Sequence, residues 1–329
     1  MSSASAVSSV LARVRASRLF RSGRPPHAFV LTRDRLVWVG AASEKGGVRA
    51  LRGLSRPLPD GALRPGPGGA PVAGEGLART VAAVVAAAGV KIAAASLVVP
   101  DGFVRTTVLD LPETAPQDRE VEEMASWKAA RAWGDPPPEV RLAWQPVGPS
   151  PAGGARILAA ASPTEAVDSW EDAFASAGVR IGALEPAALA AWWVARHAVG
   201  PDGFYVWADG ETATAAFLRG GELRFLRSRP AFDPVDALHE IRLSAAFASA
   251  GAGSAPEDAP GGAGMSGACA AGPEGNPVVE YLRRARSEAG ASEPVPLSRE
   301  RLLPEMTVTG LAPDDPAVFL ALSVAAAAG

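Results

Sequence analysis

From Phe29 the chain alternates short apolar and polar stretches. A run FVL meets the polar turn Thr32-Arg33-Asp34, a second run spans Leu36 to Val39, and Lys45-Gly46-Gly47 precedes a third run. Strand, tight turn, strand, glycine turn, strand is the predicted order, because Gly and Asp tolerate the backbone angles that close hairpins. The succession returns in FYVWADGETATAAFLRGGELRFL, Phe204 to Leu226, with a polar turn at Ala208 to Thr212 and a second at Gly220-Gly221. Two similar meanders about half a chain apart predict two related lobes, each burying one sheet face.

Between the meanders the period changes. After the turn-rich PLPDGALRPGPGGAPVAGEG, Leu77, Val81, Val84 and Val85 make an apolar stripe that stops at Gly89, which predicts a helix over 77–88. The strand SLVVP and the segment FVRTTVLDLPETA follow. A helix is predicted over 117–133, with Glu120, Glu122 and Glu123 in its first turns and Lys128 and Arg131 near its end, as the helix dipole favours. GDPPP terminates it. VRLAWQPV and ARILAAAS read as a strand pair, and 164–177 and 186–197 as helices. Beyond the second meander a helix is expected over 234–250, a small buried strand at Ala268 to Ala271 inside a Gly- and Pro-rich stretch, and a helix over 278–289. The apolar AVFLALSVAAAA is expected to complete the second lobe.

Composition narrows the function classes. At 329 residues and 48% apolar content the chain can fill a core in each of two lobes, and a formal charge of -3 argues against a general nucleic-acid binder. Cys269 is the only cysteine, so no intramolecular disulfide, Cys-rich zinc site or dithiol motif is available, and a reducing compartment fits. His27, His197 and His239 lie far apart in sequence and offer little for a metal site or triad. No stretch is long and apolar enough to span a bilayer, and the start lacks a signal-peptide core, so an intact cytoplasmic chain is expected. Val7 to Phe20 mixes apolar residues with Arg13, Arg15 and Arg18. It reads either as a frayed extension or as a basic amphipathic helix on an anionic membrane surface. Glu120, Glu122 and Glu123 read as a solvated helix start rather than acid/base chemistry. Trp127, Trp133, Trp144, Trp192 and Trp193 read as core or subunit contacts rather than a ligand stack. There is no P-loop, dinucleotide-binding fingerprint or nucleophile elbow.

Several segments resemble the PilM proteins of type IV pilus assembly, relatives of the cell-division protein FtsA within the actin-like ATPase superfamily. They are VVPDGFVRTTVLDLPE, EVEEMASWKAARAW with DPPPEVRLAWQPV, and RILAAASPTEAVDSWEDAFASAGVRIGALEPAALAAWW. The cytoplasmic part of the type II secretion protein GspL is a close cousin. The resemblance covers about Phe29 to Arg229. It implies an α/β, actin-like (ribonuclease H-like) two-lobed fold with an FtsA-type inserted subdomain: an N-terminal extension over 1–26, a first lobe with the insert over 27–199 and a second lobe over 200–329. It further implies a scaffold of a pilus or secretion platform, cytoplasmic and peripheral to the inner membrane. Its partners would be other platform components and the N-terminal cytoplasmic tail of a PilN-like bitopic protein. That tail would lie in a groove for which Leu97, Val99, Val108 and Leu111 are the candidate walls.

Members of that superfamily carry an Asp-x-Gly phosphate loop in each lobe. Here the first falls on Val30-Leu31-Thr32-Arg33, where valine cannot bind magnesium. The second falls on Ala208-Asp209-Gly210, where the acid stands one position late and so on the opposite strand face. The expectation is a pseudo-ATPase with no catalytic residue, metal or cofactor, in which Asp209, Gly210, Thr212 and Thr214 are the remnant nucleotide contacts. Alternatively these form a plain hairpin with its threonines exposed. The rival is a magnesium- and ATP-dependent ATPase or sugar-kinase-like phosphotransferase.

Overall fold

The computed structural model describes residues 25–44, 47–111, 118–131, 139–150, 153–199, 201, 203–208, 211–231, 233–251, 268–271, 277–288, 294–297, 303, 307–312 and 314–326. Its strands open with the first meander, β1 (His27–Leu31), β2 (Arg35–Glu44) and β3 (Gly47–Pro57). The short pair β4 (Leu63–Arg64) and β5 (Val72–Ala73) leads to helix α1 (Glu75–Ala88) and strand β6 (Ala94–Val99). Next come β7 (Arg105–Asp110), α2 (Asp118–Arg131), β8 (Val140–Pro149), β9 (Ala155–Pro163), α3 (Thr164–Ala175), β10 (Arg180–Pro186) and α4 (Ala187–Val199). The second meander is β11 (Gly203–Ala208), β12 (Thr212–Arg219) and β13 (Glu222–Pro230). It is followed by α5 (Pro234–Gly251), β14 (Ala268–Ala271), α6 (Pro277–Glu288), β15 (Val295–Pro296), β16 (Thr307–Thr309) and α7 (Pro316–Ala326).

The two lobes share one strand order. The first sheet runs β10-β6-β1-β2-β3, with the meander antiparallel and β6 and β10 added in parallel. The second runs β15-β14-β11-β12-β13, again an antiparallel meander with two parallel strands on its first member. The repeat predicted from the meanders therefore extends to whole sheets. Two additions break the likeness. β16 pairs in parallel with the outer edge of β3, and the β7-β9-β8 sheet of the 105–163 insert joins β13, continuing the second sheet to eight strands.

Alternation sorts the core into layers. In β1, Ala28 and Val30 pack in the cluster between the sheets, while Phe29 and Leu31 face outward toward α1 and α3, against Leu77, Val81, Trp170 and Phe174. The layer between the sheets is α4 and α7, both rich in alanine, whose small side chains meet Val37, Val98, Tyr205, Trp207 and Leu218. α5 and α6 cover the far face of the second sheet, and α2 covers that of the insert with Val121 and Ala125. A helix apolar all round has no face to give water. The AVFLALSVAAAA stretch, expected to complete the second lobe, accordingly lies between the sheets as α7, packed on β1, β2 and α4 and, through Phe319, on Trp207 of the second sheet. Among the described residues no helix is long and apolar enough to cross a membrane.

Candidate functional site

The cleft between the lobes is lined by the β1–β2 turn, the short 3-10 turn Asp101–Phe103 beyond the C-terminal end of β6, and Glu211 and Thr212 at the start of β12. Crevices at the carboxyl ends of parallel strands are where open α/β sheets bind ligands. The first turn is closed on itself. Thr32 Oγ1 is 2.6 Å from Asp34 Oδ1, the Thr32 N–H donates to the Arg35 carbonyl at 3.0 Å, and the Arg35 N–H donates back to Thr32 Oγ1 at 3.1 Å. Two backbone donors that a phosphate loop would present are thus bonded within the turn. Arg33 leaves it to cross the cleft. Its guanidinium carbon lies 5.3 Å from the Phe103 ring centroid, and its Nε ion-pairs with Glu211 of the second turn.

Beneath this bridge Asp101 is 3% exposed. Its Oδ1 accepts the Ala188 N–H at 2.9 Å in the first turn of α4, where a carboxylate satisfies an orphan donor and meets the positive end of the helix dipole. Its Oδ2 accepts the Thr214 hydroxyl at 2.8 Å. The hydroxyls continue from Thr214 to Ser228 at 2.8 Å and on to Thr106 at 3.1 Å. The Tyr205 hydroxyl donates to the Ala188 carbonyl at 2.7 Å. Burial, then the charge of Asp101, push the Tyr205 phenol well above its ordinary pKa, so it stays a neutral donor. The first turn of α4 is therefore held through its N–H by one lobe's Asp101 and through its carbonyl by the other lobe's Tyr205.

The structure brings some sequence candidates together and separates others. Thr212 and Thr214 are 4% and 1% exposed, not on exposed strand positions as the plain-hairpin reading has it, and Thr214 belongs to the Asp101 network. Gly102 comes so near that a Cβ there would lie 3.2 Å from Thr212 Oγ1. Asp209 and Gly210 lie outside the described residues. Asp101, the centre of the network, is not among the sequence candidates; its signal is a Pro-Asp-Gly directly after an apolar parallel strand. The cleft does not fit a magnesium nucleotide in its described residues. The position where the first loop would carry its acid is Val30, the loop's cation is paired with Glu211, and both Asp101 oxygens already accept bonds.

Of the groove candidates, Leu97 and Val99 are interior to the outer cluster of the first lobe, and Leu111 is covered by α2. Only Val108 is half-buried, packed against the cluster between the sheets. Near it a cavity of about 430 Å³ opens between the second sheet and α4, lined by Gln145 and Val147 of β8, Leu158 of β9, Trp192 and Arg196 of α4 and Leu226 of β13. The Trp192 ring meets Tyr205 edge to face, centroids 5.3 Å apart. Among the described residues β8, on its wall, pairs only with β9 and ends the sheet. Trp144 packs with the α2 cluster and Trp127 is 59% exposed, while Trp133 and the side chain of Trp193 lie outside the described residues, as does the basic 1–24 segment.

No family model and no curated protein matches the sequence. Among solved structures, the chain is similar to the PilM-PilN type IV pilus biogenesis complex, at 18% identity and TM-score 0.66 over 93% of this chain and 99% of that one. It is also similar to the cytoplasmic domain of EpsL, an inner membrane component of the type II secretion system of Vibrio cholerae, at 12% identity and TM-score 0.47 over 91% and 94%. A Bacteroides thetaiotaomicron protein of actin-like ATPase fold and unknown function matches at 7% identity and TM-score 0.45 over 93% and 98%. With the duplicated strand order, the first of these likenesses fixes the architecture: the chain has the two-lobed actin-like fold, with its insert joined to the second lobe's sheet.

Proposed function

We propose that this chain is an adaptor of a pilus- or secretion-type inner-membrane platform, cytoplasmic and peripheral to that membrane, that holds the cytoplasmic tail of a PilN-like protein and does not turn over nucleotide. The observation that carries the second half is the Arg33–Glu211 bridge across the cleft, beside an Asp101 whose two oxygens each accept a bond from the protein: the charged groups of the cleft meet protein partners. The cavity beside α4 supports the first half. Its apolar lining offers pockets for side chains, and β8 beside it has an edge unpaired among the described residues, on which an extended tail can add a strand, so that main-chain bonds supply affinity without chemistry. The fold likeness to a PilM captured with PilN agrees with this use.

Two measurements test it. Calorimetry with magnesium and ATP, with a phosphate-release assay, is expected to give neither heat of specific binding nor turnover; micromolar binding lost on Glu211→Ala would overturn the pseudo-ATPase reading. Co-purification with the partner's tail is expected to succeed with the native chain and to fail with Trp192→Ala and Val108→Asp variants whose circular dichroism is native. Retention of the tail by both variants would remove the cavity from the account, and no retention by the native chain would remove the adaptor role.

A further inference from the structure

β7 meets β13 at one ladder pair, Arg227 opposite Thr107. The same antiparallel register sets Ser228 opposite Thr106, whose hydroxyls are in contact, and Arg229 opposite Arg105. Directly opposed residues share a face and neighbours along a strand alternate. Thr106 and Ser228 turn toward Asp101, so Arg227, Arg229 and Arg105 turn to the other face, where Arg227 ion-pairs with Glu240 of α5 at 3.0 Å. For Arg105 and Arg229 there is no hydrogen-bonded or acidic partner among the described residues, and the Arg105 Nε is buried and unbonded. The row across the sheet reads Ala161, Arg105, Arg229, Ala213, so that small side chains flank the two guanidiniums. Above this row the sheet changes cover, from α2 on the insert side to α5 on the meander side.

Opposed like charges in a ladder are destabilising, and half-burying one of them raises the cost. Burial, and then the charge of Arg229, lower the pKa of Arg105, which registers that cost. Arg227 shows the ordinary solution, an acid from the covering helix, which its two neighbours lack.

We infer that Arg105 and Arg229 form an oxyanion site for a phosphate group, independent of the cleft and on the opposite face of the sheet. Two guanidinium forks side by side, one half-buried on Arg105 and one exposed on Arg229, match a tetrahedral dianion in charge and in donor type, whereas a single carboxylate would leave one positive charge unbalanced. The same chemistry is offered by free phosphate, by a nucleotide's phosphates and by an anionic lipid headgroup.

The test titrates the full chain with inorganic phosphate at constant ionic strength set by chloride, following thermal unfolding and calorimetric heat. Phosphate is expected to raise the unfolding temperature where chloride does not, and Arg105→Gln or Arg229→Gln each to weaken binding by about tenfold or more. Arg105→Lys, which keeps the charge and loses the fork, serves as a second variant should a glutamine variant misfold, and is expected to bind more weakly than the native chain. Parallel titrations with metal-free ATP and with phosphatidylglycerol vesicles identify the source by which binds most tightly in an Arg105-dependent way. No response to any of the three, or a phosphate response unchanged in the Gln and Lys variants, overturns the assignment.

Discussion

Asp101 is predicted to be the residue whose removal most directly loosens the two lobes. Its carboxylate is 3% exposed and takes one donor from each side of the cleft, the Ala188 N–H at 2.9 Å and the Thr214 hydroxyl at 2.8 Å. Asp101→Ala leaves both donors buried without an acceptor, each costing about 1–3 kcal/mol, while relief of the carboxylate's own desolvation returns part of this; a net loss of about 3 kcal/mol follows. Asp101→Asn retains one acceptor oxygen and is expected to cost about 1–2 kcal/mol. Thr214→Val preserves shape and removes the hydroxyl that links Asp101 to Ser228, with a similar loss of about 2 kcal/mol. Because both changes break one bond, the double variant should fall short of the sum by about 1–2 kcal/mol. Urea unfolding followed by tryptophan fluorescence measures this as midpoint shifts, with the m-values compared to confirm that a single transition is being read. If Asp101→Ala shifts stability by less than about 0.5 kcal/mol, or the cycle is additive, the network is not a coupling between lobes and the reasoning fails.

Three further outcomes follow from the same geometry. Tyr205→Phe removes the 2.7 Å bond to the Ala188 carbonyl and should cost about 1 kcal/mol in the same assay, without altering far-ultraviolet circular dichroism. The Arg33–Glu211 bridge joins side chains 54% and 34% exposed, so Arg33→Ala should change stability by less than about 1 kcal/mol, an effect that shrinks further in high salt. His27 stacks on Trp38 with ring centroids 5.9 Å apart, and burial lowers its pKa below 6.5. The unfolded chain then binds a proton that the folded chain refuses, so the stability His27 allows is full above pH 6.5 and falls as pH drops through 6.5 toward the folded pKa. His27→Gln should flatten that acid limb in urea midpoints measured against pH, and an unchanged slope would assign it to other groups.

The architecture was legible wherever a local pattern determines it. The helix predicted over 164–177 forms as Thr164–Ala175, the one over 234–250 as Pro234–Gly251, and the small strand expected at Ala268 to Ala271 forms at those residues. The site was less legible, since its centre depends on partners far along the chain: Asp101 finds Ala188 and Thr214, residues that no short pattern joins to it. The groove candidates show a second limit. Leu97 and Val99 sit in Ser96-Leu97-Val98-Val99, all buried, on a parallel strand with helices over both faces. An unbroken apolar run signals that two-faced burial, whereas a groove wall would keep one polar side. The plain-hairpin alternative sets the threonines outward for a related reason. Alternation along β12 separates its two faces but leaves open that both are covered, by α4 and α7 on one side and α5 and α6 on the other.

These limits explain how a duplicated fold leaves the residues of its turns free to vary. Strand order in both lobes rests on alternating core positions such as Phe29, Val30, Phe204 and Tyr205, and none of these is a turn residue. A turn tolerates any residue that its backbone angles allow, so Thr32 can close its turn with its own hydroxyl and Arg33 can reach Glu211 at no cost to the sheets. Asp101 differs, because it lies where the sheet ends and α4 begins, and its carboxylate completes a helix start that would otherwise be buried with a free N–H. The stability change on removing Asp101 should therefore be the same with and without added magnesium nucleotide, because the bonds lost are those to Ala188 and Thr214, which belong to the protein itself.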